Sequence, residues 1–275
     1  MKKILIPIDF SKHSEYAATL ASRIVEKTKS EIHLLHLIEI PTGIVDMGAG
    51  SNFSIPESML YIRTIRDKML RFKATFFPDP ENVKHSIRFQ NPFEGIRDYS
   101  KKINADLVIM GSKGHTALDE ILIGSNTEKT VRSLNIPVLV TKKDSNDFKF
   151  NKMVFASTFE KDEDEALKGF LDFASAFKPE IYFLKINTPQ KFQNTTEAKQ
   201  IVERFVSKYN IPKYHVSIYN DKSVVEGILN FSDENNIDLV SIATHGRSGL
   251  SRFFNGSISL DLSNNVLKPV LTFKI

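Results

Sequence analysis

The sequence predicts an α/β chain of two tandem, Rossmann-like, doubly wound parallel sheets, five strands each, with flanking helices. Three observations predict it. Short apolar runs alternate with helical patterns along the whole chain, the order expected of successive β-α-β units. The runs are almost purely apolar, as in strands covered on both faces. Two loops also share one spacing: Gly111, two residues, Gly114, nine residues, Gly124, Ser125, and then Ala243, two residues, Gly246, nine residues, Gly256, Ser257. An offset of 132 maps one onto the other, and carries Glu94 to Glu226, Gly95 to Gly227, Asp106 to Asp238 and Pro137 to Pro269. The chain therefore reads as a duplicated domain, 1–146 and 147–275.

In the first half, Lys3 to Ile8 is an apolar strand. Ser14 to Lys27 has helical periodicity through Ala17, Leu20, Ala21, Ile24 and Val25. Glu31 to Ile38 is the second strand, and Pro41 to Pro56 reads as a loop from its Gly, Ser and Pro content. Glu57 to Phe76 is helix, Lys84 to Phe89 strand, Phe93 to Ile103 helix and Asp106 to Met110 strand. Ser125 to Leu134 is helix, and the strand from Pro137 to Thr141 closes the unit. The linker is Lys142 to Phe150, polar and charged.

The second half repeats the order. Strands are expected at Met153 to Ser157, Ile181 to Ile186, Tyr214 to Tyr219, Asp238 to Ile242 and Val270 to Phe273. Helices are expected at Glu163 to Phe177, Thr195 to Tyr209, Val224 to Asn235 and Ser257 to Val266. Early elements match at an offset of 149 and late ones at 132. The first half therefore has a longer connection after its second strand.

Composition narrows the function classes. The 275 residues are 41% hydrophobic and 25% charged, enough for two cores. There is no cysteine, which excludes disulfides and thiol chemistry. The opening segment MKKILIPIDFS meets Asp9 too early for a signal peptide, and no run approaches a membrane span of about 18 apolar residues. A cytoplasmic protein without membrane contact is the expectation. Net charge is +4, all of it in residues 1–146, too little to argue for nucleic acid. Arg63, Arg66, Lys68, Arg71 and Lys73 read as a solvated helix face. The seven histidines show no metal-ligand spacing, and no nucleophile elbow or Walker lysine occurs. His33 and His36, three apart on a strand, should face opposite sides.

A strand end, glycines and a helix start make a phosphate site in principle. Glycines let backbone approach an anion, and a helix N-terminus offers unpaired N–H groups. Ser125-Asn126-Thr127-Glu128 has the form of a capping box, which predicts that the helix starts there. On spacing alone, Gly124 is equally a turn glycine and Ser125 equally a cap. Asp9 ends the first strand at the same sheet edge as Gly111, where ligands sit in doubly wound sheets. Its carboxylate could accept hydrogen bonds from a ribose or adenine, or cap the following helix.

The segments ILIPIDFS, LLHL, DLVIMGSKG and GSNTEKTVRSLNIPVLV, with DLVSIATHGRSGLSRFFNGS in the second half, resemble the universal stress protein family. The resemblance covers nearly the whole chain as a tandem pair. The first loop is similar to that of the ATP-binding branch, whose sheets are like those of the adenine-nucleotide alpha hydrolases. It implies an adenine nucleotide (ATP, ADP or AMP) as cofactor. Pro7 and Asp9 would lie at the nucleoside, Leu37 would lend backbone contacts to adenine, and Met110 and Gly111 would flank ribose and base. Lys113, Gly114, Gly124, Ser125 and Asn126 would surround the phosphates, with Thr127 nearby. It also implies an internal pseudo-dimer through the last strands, with a homodimer and a further protein partner in view. Asp119 and Glu120 depart from the pattern; two carboxylates beside a triphosphate would oppose binding unless a divalent ion such as Mg²⁺ intervenes or they face away. In the second half Thr158, Ala156 and Ala243 replace Asp9, Pro7 and Gly111, and Leu260 breaks the capping box, so that half reads as degenerate for ATP. His245, Arg247 and Arg252 there read as solvated surface.

The leading expectation is a stress or signalling protein that binds nucleotide in its first half. A slow ATPase and a ligand-free interaction scaffold are the alternatives. The Pro41–Pro56 loop, with three glycines among Ile44, Val45, Met47 and Phe53, reads equally as a lid over the nucleotide or as an insertion without a role. The inequality of the loops predicts unequal mutational effects. Gly114→Val should abolish ATP binding measured by titration calorimetry, whereas Gly246→Val should leave it unchanged. Equal losses would refute the degeneracy of the second loop.

Overall fold

The computed structural model describes residues 1–39, 55–112, 124–144, 147–159, 163–244 and 268–275. The first half comprises β1 (Lys3–Ile8), α1 (Lys12–Thr28), β2 (Glu31–Ile38), α2 (Ile55–Phe76), β3 (Val83–Phe89), α3 (Pro92–Ile103), β4 (Leu107–Gly111), α4 (Ser125–Ser133) and β5 (Val138–Thr141). The second comprises β6 (Lys152–Ala156), α5 (Asp164–Ser175), β7 (Glu180–Asn187), α6 (Thr195–Val206), β8 (His215–Asn220), α7 (Val224–Glu234), β9 (Leu239–Thr244) and β10 (Val270–Lys274). The helix expected over Ser257–Val266 and residues 41–54 of the Pro41–Pro56 loop lie outside the described residues.

The two five-stranded units join into one ten-stranded sheet of order β3-β2-β1-β4-β5-β10-β9-β6-β7-β8. The join is antiparallel, Val140 opposite Val270, Leu139 opposite Leu271 and Val138 opposite Thr272. The repeat offset carries Leu139 to Leu271, so this register is symmetric about a single pair. The halves are thus related by a pseudo-twofold axis, as in an isologous dimer interface. All other described pairings are parallel. The strands of the two halves consequently point in opposite directions, and their C-terminal ends lie on opposite edges of the sheet.

Alternation along each strand feeds two cores, one per face. On one face Ile4, Ile6, Leu34 and Ile109 meet Ala17, Leu20, Ala21 and Ile24 of α1 and Met69 and Phe72 of α2. On the other Leu5, Leu35, Val108 and Met110 meet Ile96, Tyr99 and Ile103 of α3 and Val131 of α4. Helices α5 and α6 join the first face and α7 the second. His33 lies beside Tyr99 and His36 beside Phe10, on opposite faces as the strand period requires. The basic run on α2 is only partly a solvated face. Arg63, Arg66, Lys68 and Arg71 are exposed, but Lys73 is buried, since it falls on the side of the helix that carries Met69 and Phe76.

Asp106 and Asp238, matched by the repeat, have one structural task. Asp106 Oδ2 accepts the backbone N–H groups of Lys2 and Lys3 at 2.6 and 2.8 Å. Asp238 Oδ2 accepts those of Asn151 and Lys152, both at 2.9 Å. Each carboxylate pins the start of its half's first strand to the start of the fourth. Asp106→Ala should lower stability by about 1 kcal/mol, the usual net worth of such contacts near solvent. Urea unfolding checks this; an unchanged midpoint would show the staple to be redundant.

Candidate functional site

In the order β3-β2-β1-β4-β5 the winding reverses between β1 and β4, so the first half's switch point lies at their C-terminal ends. These two strands separate there. Their pairing covers Ile4 with Leu107 and Leu5 with Val108 and stops, although β1 runs on to Ile8 and β4 to Gly111. Pro7 has no N–H with which to continue the ladder toward β4. On its other side β1 pairs with β2 as far as Ile8 and His36. The second half lacks this opening. Ala156 stands in place of Pro7, and β6 pairs with β9 through Phe155–Ser241 and Ala156–Ile242.

The rim of the first crevice is built from several elements. The loop leaving β4 returns to its own start, since the Gly124 N–H donates to the Ser112 carbonyl at 2.7 Å. Ser112 in turn donates its N–H to the Thr141 carbonyl of β5 at 2.9 Å. The N-terminus of α4 is thereby fixed beside the end of β4. Gly124 is the N-cap, in extended conformation, and Ser125 is the first helical residue. The expected capping box is therefore not formed: with the cap one residue earlier, Glu128 falls outside the box and pairs with Arg132 at 2.9 Å. The first turn's backbone bond runs from the Glu128 N–H to the Gly124 carbonyl. The N–H groups of Ser125, Asn126 and Thr127 precede it, as the orphan donors of a helix start. Ser125 is exposed and Asn126 half-buried.

Four predicted site residues serve packing. A Cβ on Gly111 would lie 2.5 Å from the His13 carbonyl oxygen and 2.7 Å from His13 Cβ. Gly111 is what lets α1 approach β4. Thr127 is buried, and its hydroxyl donates to the Gly111 carbonyl at 3.0 Å, turned inward under the helix start. Met110 packs into the core beneath α3 and α4. Leu37 reaches α3 where Gly95 leaves room, since a Cβ there would stand 2.3 Å from Leu37 Cδ2. Ile186 and Gly227 repeat this contact in the second half. Lys113 and Gly114 lie outside the described residues, as do Asp119, Glu120 and residues 245–257 of the second loop.

Asp9 is not the cap of α1. Ser11 is, accepting the Ser14 N–H, while Asp9 Oδ1 accepts the Ser11 N–H at 3.0 Å. Between them Phe10 adopts a left-handed φ of 62°. That local conformation carried no sequence signal, because non-glycine residues adopt it rarely. Phe159, its counterpart, has φ 63°. Beside it, however, the hydroxyls of Ser157 and Thr158 both donate to the carboxylate of Glu163, which is buried. The second half thus places its own carboxylate where the first presents Asp9 at the rim. Sequence comparison of the halves missed Glu163 because it aligns with Ser14, not with Asp9. Among the described residues no group of three or more His, Asp or Glu could hold a metal ion, and no helix is long and apolar enough to cross a membrane.

Comparison with known proteins agrees with this geometry. The model of the universal stress protein family matches residues 1–142 and again 149–274. Universal stress protein MJ0577 of Methanocaldococcus jannaschii is 32% identical over 158 residues, 52% of this chain and 95% of that protein. Universal stress protein Slr1230 of Synechocystis is 23% identical over the full length of both chains. The crystal structure of a universal stress protein from Archaeoglobus fulgidus superposes with a TM-score of 0.67 at 20% identity, covering 99% of this chain and 96% of that one.

The close approach at Gly111 makes a prediction that does not involve any ligand. Gly111→Ala should cost about 2 kcal/mol, the typical penalty of an extra methyl against backbone that cannot yield. Thermal unfolding measures it, and wild-type stability in the variant would mean that α1 shifts freely.

Proposed function

This chain belongs to the universal stress protein family, and we propose that its first half binds an adenine nucleotide in the crevice between β1 and β4. One observation supports this above the rest. The ladder between the two strands ends at Leu5 and Val108, at the switch point, with Asp9 on one lip and the start of α4 on the other. A crevice of this kind suits a nucleoside with a phosphate chain. Asp9 can accept ribose or adenine donors, and the N–H groups that open α4 can take phosphate oxygens. Lys113, Gly114, Ser125 and Asn126 belong to the phosphate side of the reading, and Pro7 and the Leu37 backbone to the nucleoside side. Thr127 serves it indirectly, by holding the helix start to Gly111. With ATP, Mg²⁺ would offset Asp119 and Glu120. Nucleotide occupancy would then set the shape offered to a protein partner, in keeping with a stress-response role.

The second half does not share this role in our reading. Its β6–β9 ladder is continuous, and the carboxylate at its turn, Glu163, is buried and taken up by the Ser157 and Thr158 hydroxyls rather than offered at the rim. Its edge also faces away from the first, so the two halves cannot close on one ligand.

Titration calorimetry of the full chain with Mg-ATP should give one site with a dissociation constant in the micromolar range, about −8 kcal/mol. Pro7→Ala should weaken it by letting β1 and β4 pair further, as β6 and β9 do. Asp9→Ala should weaken it by removing the acceptor. No heat at millimolar Mg-ATP would overturn the reading.

A further inference from the structure

We propose that His36 is a positioning residue for the first-half site, holding the turn that presents Asp9. The proposal rests on the nucleotide reading above and extends it to a residue of β2 buried behind the rim. The Nδ1–H of His36 donates to the Ile8 carbonyl at 2.8 Å, across the last paired position of β1 and β2. Its ring lies against Phe10, with centroids 4.7 Å apart, and Phe10 in turn meets the edge of Phe72 from α2 at 6.0 Å. His36 therefore grips the turn on both sides of Asp9: by hydrogen bond at residue 8 and by ring contact at residue 10. That grip matters because Phe10 is held at a φ of 62°, a conformation that non-glycine residues rarely adopt and that persists only when surroundings enforce it.

The second half supports the assignment independently. The residue aligned with His36 is Lys185, and its Nζ donates to the Thr158 carbonyl at 3.0 Å. Two different side chains at one strand position both reach the backbone of the left-handed turn. The shared requirement is a donor there, and the half with the open crevice meets it with an imidazole.

An imidazole adds a consequence that lysine does not. The carbonyl oxygen only accepts, so Nδ1 carries the proton and Nε2 is bare in the neutral ring. Burial holds the ring's pKa below its ordinary value of 6.5. The charges that face it are Asp9 at the end of β1, which favours the imidazolium, and Lys68 of α2, which opposes it. A nucleoside in the crevice would strip more water from this ring and would compete for Asp9 with an imidazolium. Binding should therefore favour neutral His36. The sign follows: a group whose charging is disfavoured in the bound state contributes to affinity at high pH, and that contribution is lost as pH falls through the ring's own pKa in the free protein, which lies below the ordinary value of 6.5.

The test uses adenosine, which has no titrating phosphate, on the full chain, alongside Mg-ATP. Affinities of wild type, His36→Gln and His36→Leu are measured by calorimetry at about pH 7.5 and 5.5. At the higher pH, His36→Leu should bind about tenfold more weakly, the loss of one buried hydrogen bond. His36→Gln, which restores a donor, should stay within about threefold of wild type. Wild-type affinity should fall toward pH 5.5, and that fall should vanish in both variants. Wild-type binding by His36→Leu, or an unchanged pH profile in His36→Gln, would overturn the positioning role. If His36→Leu fails to fold, the His36→Gln profile alone decides. Absence of any nucleoside or nucleotide binding by wild type would instead remove the underlying site.

Discussion

The antiparallel pairing of β5 with β10 is the contact on which the rest of the molecule is arranged. Leu139 faces Leu271, its own counterpart in the repeat, so the two halves meet as equivalent surfaces. This pairing closes the strand edge that each half would otherwise leave open, the usual hazard of an isolated sheet. It is reinforced beyond the ladder. Thr272 donates its hydroxyl to the Val138 carbonyl at 3.0 Å, and Lys274 reaches the Ser133 carbonyl and Asn135 at the end of α4. The helix that opens at the candidate site is thus tied at its far end to the other half.

Within each half, small residues and single carboxylates place the larger elements. Gly111 sets the distance between α1 and β4, and Gly95 and Gly227 set those of α3 and α7 to their strands. Asp106 and Asp238 align the strand starts at the N-terminal edge of each half. The same motif residues that look like ligand contacts therefore divide into two groups. Gly111, Thr127 and Met110 are packed inward, whereas Asp9, Ser125 and Asn126 remain on the rim. The inward group gives the rim its geometry.

The two halves do not keep the same chemistry at this turn. Three changes in the second half act together. Ala156 restores an N–H and with it the ladder to β9, Thr158 removes the carboxylate at the turn, and Glu163 supplies another, bonded inward. The left-handed turn itself recurs at Phe159, in the half without the open crevice, so it belongs to the fold. Aromatic packing adds to the Lys185 contact there, with Phe155, Phe183 and Phe205 around Phe159.

The sequence by itself determined the order of elements, the duplication and the edge on which a site must lie. These follow from apolar periodicity, from matched spacings and from the rule that parallel strands present their ends together, all of which are local or arithmetical. Element limits differ from expectation by only a few residues, as at α1, which starts at Lys12 because Ser11 caps it. Other features needed the tertiary structure. Ser125 has the sequence of a cap but is the first residue inside its helix, because the return of Gly124 to Ser112 sets the start. Gly111 has the look of a ligand glycine, but its lack of a side chain serves α1, a segment about a hundred residues earlier. Resemblance placed Pro7 at a nucleoside and the repeat set it against Ala156, but its effect on strand pairing emerged only from registers that leave a crevice open in one half and closed in the other. The roles of His36 and Glu163 depend on which backbone they reach across the fold. Such contacts join residues distant in sequence, and no spacing within the chain encodes them.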